Sequence, residues 1–338
     1  MLKRALLTLS LIFCISIVNL AAPQDNKPIS PSNTNNIANT PNIPSTPNTP
    51  LDKFVKLDDV SILRVLYPKE SLTYKTLAED SSEPILEQIY QVEEVETHKI
   101  AVLSRTIGQF TQSEAQEMLA IIGVDTGTDS AAKHPSGIYA VLFRVGSNGS
   151  PELITRSSNL YQTGSPFTNK IWRPALVADI NFDKQEELIM LQGEKKGIGT
   201  YSIYSWDGKD FSLISNHPAL TLLSFYASLN AATQLGLEGE QAAGNSQLSS
   251  AYEKLSPKMQ SQQTTDVLRK RLKEIKAVEL NSLKVMIKSE TSALIRIQYR
   301  LVDDDGFKQN FEGDYQIRRY NDQWQLDSER LKSINLAK

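Results

Sequence analysis

Four oxygen-bearing side chains stand close together in the segment 179–187. Asp179, Asn181, Asp183 and Glu187 occupy positions 1, 3, 5 and 9 of a polar run that leads into an apolar stretch. Alternate residues of a tight loop point towards one centre, and carboxylate and amide oxygens are the ligands that Ca²⁺ prefers. The spacing therefore predicts a calcium site at these four residues. The same residues also suit an Asn/Asp turn, in which the side chains accept hydrogen bonds from their own backbone.

Three tyrosines form a second group with a chemical use. Tyr226 and Tyr252 fall in segments with helical spacing, and Tyr299 falls in a segment with strand alternation, so the three could line a pocket. Aromatic residues at such spacings also fill hydrophobic cores. The chain has no nucleophile elbow, phosphate-binding loop or zinc-binding motif, and its three histidines are far apart in sequence. The sequence therefore predicts no catalytic residue and favours a binding function over an enzyme.

Residues 51–216 are predicted to be rich in β-strands, because apolar runs alternate with turns of Gly, Asn, Asp and Ser. The segment 137–155 has the same layout as 199–215, so the region contains a repeat at an offset of about 60–70 residues. Two units are too few for a closed propeller, and the pattern favours a sandwich or partial-propeller-like hairpins. The predicted strands are Val60–Tyr67, Lys99–Leu103, Met118–Gly123, Ile138–Arg144, Glu187–Leu191 and Tyr201–Trp206.

The acidic loop of the second repeat has a pattern known from other proteins. Asp179–Leu188 resembles the FG-GAP repeats of integrin-type propellers, in which D-x-[DN]-x-D-G-x-x-[DE]-L precedes a strand. Lys184 stands where those repeats have glycine. The equivalent positions of the first unit are Gln109, Thr111 and Ser113, which are not acidic. The resemblance therefore implies a Ca²⁺ loop in the second unit alone.

After Pro218 the apolar residues change to helical spacing, which predicts three helices followed by strands. Ser256-Pro257 is a typical helix start, with a capping serine and a first-turn proline. The helices are marked by Leu222, Phe225, Tyr226 and Leu229, by Ser256-Pro257, and by Leu268, Leu272 and Ile275. The strands are marked by alternating apolar residues in 295–301 and 311–317, and by 323–327.

Four short motifs in this region are Phe225–Ala231, Tyr252–Pro257, Asp303–Gly306 and Gln323–Asp327. In that order they resemble the exported bacterial branch of the nuclear transport factor 2-like (SnoaL-like) superfamily. The resemblance implies a cone-shaped α+β domain, with helices packed on a curved antiparallel sheet. It also implies an interior pocket, and a sheet face that serves either as a second recognition surface or as the interface of a homodimer.

The N-terminus has the composition of an export signal. Residues 1–22 contain a basic start, an apolar run and Ala21-Ala22, where a signal peptidase would cut. The apolar run is also long enough for an uncleaved membrane anchor. Residues 23–50 hold seven of the chain's fifteen prolines and no aromatic residue, which predicts a disordered linker. An extracytoplasmic location, periplasmic or secreted, follows from these segments.

We therefore predict an α+β protein with separately cored units, a β-rich domain at 51–216 and the cone-shaped domain at 217–338. The net charge of −3 gives no electrostatic reason to expect a nucleic acid partner. The predicted function is that of an exported bacterial binding or scaffold protein of the cell envelope. Its predicted partner is a protein or polysaccharide, and it meets the membrane only through an uncleaved N-terminus. The alternatives are an enzyme or small-molecule carrier that uses the interior pocket, and a structural protein associated with the cell wall or polysaccharide.

Overall fold

The computed structural model describes residues 57–67, 72–75, 89–92, 99–111, 116–126, 136–146, 151–157, 160–162, 170–194, 199–236, 242–273, 275–303 and 305–334. The predicted signal peptide or anchor at 1–22 and the linker at 23–50 lie outside these residues. Strands make up 54% of the described part and helices 25%, in three separate antiparallel sheets. The predicted fold class, α+β with a cone-shaped domain, is therefore wrong, and the fold is mainly β-rich. The reason is the length of the last four strands, which have 12–14 residues each.

The first sheet has seven antiparallel strands. Six follow the order β1-β2-β3-β4-β5-β6, and β7 pairs with β5. β4 is buried along almost its whole length, which indicates that both faces of the sheet are covered. The strands are β1 (Leu72–Lys75), β2 (Ile89–Val92), β3 (Lys99–Gly108), β4 (Glu117–Asp125), β5 (Gly137–Val145), β6 (Pro151–Arg156) and β7 (Tyr161–Gln162).

A short helix, α1 (Asp59–Leu66), covers one face of this sheet. The prediction of a strand at Val60–Tyr67 is therefore wrong. The apolar residues of this run fit both the helical period and the strand period. The N-terminal cap favours the helix, because Asp58 accepts a hydrogen bond from the Ser61 backbone N–H at 2.7 Å. A capping bond of this kind stabilises the first turn of a helix.

The second sheet repeats the strand order of β3–β6 and packs against the other face of the first sheet. A buried cluster between the two sheets joins Leu119, Ile121 and Leu142 of the first sheet to Leu188 and Met190 of the second. The strands of the second sheet are antiparallel and follow the order β11-β10-β9-β8. The strands are β8 (Lys170–Ala178), β9 (Glu187–Glu194), β10 (Gly199–Trp206) and β11 (Phe211–Ile214).

The C-terminal part consists of four helices and the third sheet, with strand order β12-β13-β14-β15. Ile275 begins a strand rather than ending the predicted third helix, which stops at Leu272. Within the described ranges, no helix is both long and apolar enough to cross a bilayer. The elements are α2 (Pro218–Leu235), α3 (Ala242–Tyr252), α4 (Pro257–Gln262), α5 (Thr265–Leu272), β12 (Ile275–Lys288), β13 (Ser292–Asp303), β14 (Lys308–Tyr320) and β15 (Gln323–Ile334).

One hydrophobic cluster continues from the second sheet into the C-terminal part. Ile180 and Ile203 belong to the same buried cluster as Leu222 of α2 and Ile295 of β13. α2 starts directly after His217, whose Nδ1 accepts a hydrogen bond from the Ala219 backbone N–H at 3.1 Å. The predicted domain boundary at 216/217 therefore lies within a shared core.

The outer face of the third sheet is polar. Arg296 pairs with Asp314 at 2.6 Å, and Lys332 pairs with Glu312 at 2.6 Å. The cores of subunit interfaces are depleted in charged residues. This face is therefore better suited to solvent than to the core of the predicted homodimer, which stays a prediction.

Candidate functional site

The predicted calcium loop lies between β8 and β9 and is held by its own hydrogen bonds. The Asp179 carboxylate accepts from the backbone N–H of Phe182 at 2.7 Å and of Lys184 at 3.1 Å. Phe182 and Lys184 have φ angles of 68° and 70°, in the left-handed region that favours glycine. Lys184 therefore occupies the backbone conformation for which FG-GAP loops have glycine, at some cost in strain.

Glu187 is buried at the start of β9. Its carboxylate accepts from the Ile180 backbone N–H at 2.9 Å and from Asn181 Nδ2 at 2.7 Å. Burial raises the pKa of Glu187 to about 7, and the nearby negative charges of Asp183 and Asp179 act in the same direction. Glu187 therefore serves the loop as a buried acceptor.

The first repeat has the same contact without the acidic loop. Glu117 Oε2 accepts from the backbone N–H groups of Phe110 at 3.0 Å and Thr111 at 2.9 Å, and Oε1 accepts from the Thr111 hydroxyl. We call the two contacts, Glu117 to Phe110 and Glu187 to Ile180, the carboxylate clasps. They lie 70 residues apart, from 110 to 180 and from 117 to 187. A glutamate at this position therefore has a structural use that needs no metal ion.

The predicted calcium site stays a prediction. Among the described residues, no group of three or more His, Cys, Asp or Glu side chains is placed to hold a metal ion. Asn181 donates its amide N–H groups to Asp183 and Glu187, whereas a cation would need its oxygen. Ser113, at the matching position of the first repeat, lies outside the described residues.

We expect Asp179→Ala to lower the free energy of unfolding by about 1–2 kcal/mol in EDTA, because two backbone N–H groups lose their acceptor. Thermal melts in calcium and in EDTA check this result. Asp207→Ala is the matched control, since Asp207 accepts from the backbone N–H groups of Lys209 and Asp210 in a turn with no predicted ion. A loss for Asp179→Ala that occurs only in calcium would contradict the self-capped loop and support the calcium site.

Two of the three predicted pocket tyrosines meet in the C-terminal part. Tyr226 of α2 and Tyr299 of β13 line one cavity, with ring centroids 5.1 Å apart. Tyr252 is not among the lining residues, and its hydroxyl donates to the Gln260 carbonyl at 3.1 Å. The cavity has a volume of about 80 Å³. Its apolar walls are formed by Phe225, Leu229, Leu268, Leu272, Ile275, Val278, Leu301 and Leu331.

A polar cluster occupies part of the lining. The hydroxyl groups of Tyr226 and Tyr315 are 2.6 Å apart, and Gln263 Nε2 donates to Glu329 Oε1 at 2.7 Å. Burial raises the pKa of Tyr315, and the Glu329 carboxylate adds to this effect. Burial also raises the pKa of Tyr226 and Tyr299, so the three phenols stay protonated at neutral pH. The cluster can therefore donate and accept hydrogen bonds without releasing a proton.

Glu329 reaches the cavity because of a β-bulge. The register of β14 and β15 slips by one residue at Asp327, between the pairs Ile317–Leu326 and Gln316–Ser328. A slip of one residue exchanges the two faces of a strand. Glu329 and Leu331 therefore lie on the inner side, although simple alternation from the buried Leu326 would place them outside. Sequence reasoning missed Glu329 for this reason, and it also missed Gln263, Arg271 and Tyr315.

No protein-family model matches the chain, and no curated protein matches it in sequence. A solved structure described as "Ntf2 like protein involved in plasmid conjugation" is similar to 70% of this chain and 80% of its own length, with 9% identity and a TM-score of 0.23. This TM-score is too low to establish a common fold. The resemblance to the nuclear transport factor 2-like superfamily therefore stays a prediction, and the resemblance to FG-GAP repeats has no support.

Proposed function

We propose that the chain is an exported bacterial binding protein and that its binding site is the cavity beneath the third sheet. The observation behind this proposal is the combination of apolar walls with a buried polar cluster in one cavity. Ligand sites in proteins commonly have this composition, in which apolar walls bury most of the ligand and a few polar groups orient it. A protein that binds its partner through an exposed surface does not need such a cavity, so the cavity supports the binding of a small ligand.

The size of the cavity limits the ligand. A cavity of roughly 10–15 Å³ is the smallest that holds one water molecule, and one of about 150 Å³ holds a benzene ring, so about 80 Å³ has room for a short chain of non-hydrogen atoms. The proposed ligand is therefore a small molecule, or the end of a larger one, with an apolar body. The proposal thus favours a small-molecule carrier over a scaffold for macromolecules.

The proposal is tested with pentanol, a small amphipathic probe, and a variant that fills the cavity. We expect pentanol to shift the NMR signals of lining methyl groups such as those of Leu229, Leu268 and Leu301, and to leave methyl groups between the first two sheets unchanged. Val278→Phe places a ring in the cavity and should abolish these shifts. If Val278→Phe fails to fold, Leu229→Phe serves the same purpose.

Two controls make the result decisive. Val285→Phe introduces the same ring on the same strand, at a buried residue that does not line the cavity, and should leave the pentanol shifts in place if it folds. The solvent-facing Lys284→Phe is the fallback, because it leaves the core intact. Pentanol shifts spread evenly over all methyl groups, or shifts that survive in a folded Val278→Phe protein, would contradict the proposed site.

A further inference from the structure

Arg271 lines the cavity with one guanidinium nitrogen left unsatisfied. It lies in the last turn of α5, and its Nη1 is 3.5 Å from Gln263 Oε1, at the limit of a hydrogen bond. Nη2 is buried and has no hydrogen-bond partner within the part of the chain that the structure describes. A buried N–H donor without an acceptor is unfavourable, and the cost is greater on a charged group. The free protein therefore holds an unsatisfied donor on a residue that lines the cavity.

The neighbouring polar groups do not meet this requirement. Glu329 accepts from Gln263 at 2.7 Å, and within the described residues neither it nor any other acceptor bonds to Arg271 Nη2. Gln263 lies between the two charged groups, because it also faces Arg271 through its carbonyl oxygen. Tyr226 and Tyr315 bond to each other. The group still missing in the cavity is therefore an acceptor, and the strongest acceptor for a guanidinium is an anion.

We propose that the cavity binds a small carboxylic acid in its ionised form, one oxygen of which accepts a hydrogen bond from the Arg271 guanidinium. This inference rests on the proposed function and adds the chemical class of the ligand. The hydrocarbon part lies against the leucine side chains of the wall, such as Leu268 and Leu272. The apolar walls favour a carboxylate with a hydrocarbon chain over a fully hydrated ion such as inorganic phosphate.

The test compares pentanoate with pentanamide, which has nearly the same shape but no charge. NMR titration of the lining methyl groups gives both dissociation constants. We expect pentanoate to bind about tenfold more tightly than pentanamide, since a hydrogen bond to a charged group is stronger than one between neutral groups. Arg271→Gln should remove this preference and weaken pentanoate binding about tenfold, which is more than it weakens pentanol binding.

Arg269→Gln is the matched control on the same helix. Arg269 pairs with Asp266 and Asn245 and does not line the cavity, so its replacement should leave the preference for pentanoate unchanged. Arg271→Lys keeps the positive charge and should retain part of the preference, which provides a second variant if Arg271→Gln does not fold.

The outcomes separate the two proposals. Equal affinities for pentanoate and pentanamide, both abolished by Val278→Phe, would overturn the carboxylate inference and leave the binding site in place. A preference for pentanoate that persists in Arg271→Gln would also overturn the assignment to Arg271. Failure of pentanol, pentanamide and pentanoate alike to shift the lining methyl groups would overturn the proposed function itself.

Discussion

Replacement of Glu117 by alanine is expected to lower the free energy of unfolding by about 3–5 kcal/mol, the largest loss that we predict for a single polar side chain. The change leaves the backbone N–H groups of Phe110 and Thr111 without an acceptor next to a buried ring. Each buried group without a partner costs about 1–3 kcal/mol, and the lost side-chain volume adds to this. Phe110 also packs edge-to-face on Phe211 of the second sheet, so the loss extends to the contact between the sheets.

Urea denaturation measures this loss, and two further variants identify its cause. Glu117→Gln keeps one acceptor oxygen and should cost only about 1 kcal/mol. Glu186→Ala removes a carboxylate that accepts from the Gln109 backbone N–H, a single contact at 2.8 Å, and should cost about 1 kcal/mol as well. Hydrogen exchange at the Phe110 and Thr111 amides should accelerate in Glu117→Ala alone. Equal losses for the alanine and glutamine variants would show that the clasp does not depend on its acceptor oxygens.

The second large effect concerns pH. Burial raises the pKa of Glu187 to about 7, so the folded protein keeps a proton that the unfolded chain releases above its ordinary value of 4.5. Burial lowers the pKa of His217 to about 4, and the positive charge of Lys288 acts in the same direction. Between pH 4 and 6.5, His217 is therefore neutral in the folded protein but protonated in the unfolded chain. The first group therefore reduces stability as the pH rises from 4.5 to 7. The second reduces stability as the pH falls from 6.5 to 4.

These two effects have opposite slopes between pH 4.5 and 6.5, and they should nearly cancel in the natural protein. Glu187→Gln should therefore reveal a free energy of unfolding that rises by about 2–3 kcal/mol as the pH increases through this window. His217→Asn should reveal the reverse slope of similar size, because Glu187 keeps its raised pKa, and asparagine can still cap α2. The double variant should be nearly flat. Urea denaturation at several pH values tests all four proteins, and parallel curves for the two single variants would contradict the assignment.

Some elements of the fold follow directly from sequence patterns. Five of the six strands predicted within 51–216 coincide with observed strands, because the turn residues around them interrupt the apolar runs. Ser256 caps α4 as predicted, through a hydrogen bond from the Met259 backbone N–H to its hydroxyl. The helix at Asp59–Leu66 was harder to predict, because Ile62, Leu63, Val65 and Leu66 satisfy both helical and strand periods. The capping contact of Asp58 is a local signal that resolves this ambiguity.

The residues that line the cavity could be predicted only in part from the sequence. Tyr226 and Tyr299 could be chosen from their periodicity, because apolar neighbours place both on buried faces. Glu329 could not, since the bulge at Asp327 shifts the phase of β15 and has no distinctive residue type. Arg271 lies in a run of basic residues, and only tertiary packing decides which of them turns inwards. Because an arginine side chain is long, its guanidinium can reach the cavity from more than one face of the helix, so helical periodicity does not predict which arginine lines the cavity.

The stacking order of the layers limits how this architecture can change in evolution. Repeat proteins become longer when a duplicated repeat packs against the exposed apolar face of the terminal repeat. Here α1 occupies the far side of the first sheet, and α2 occupies the far side of the second. A third copy of the four-strand unit would have to displace one of these helices and would then leave that helix without its buried partner. In the described part of the chain the number of four-strand units is therefore limited to two, and duplication of one unit alone would not extend them into a ring.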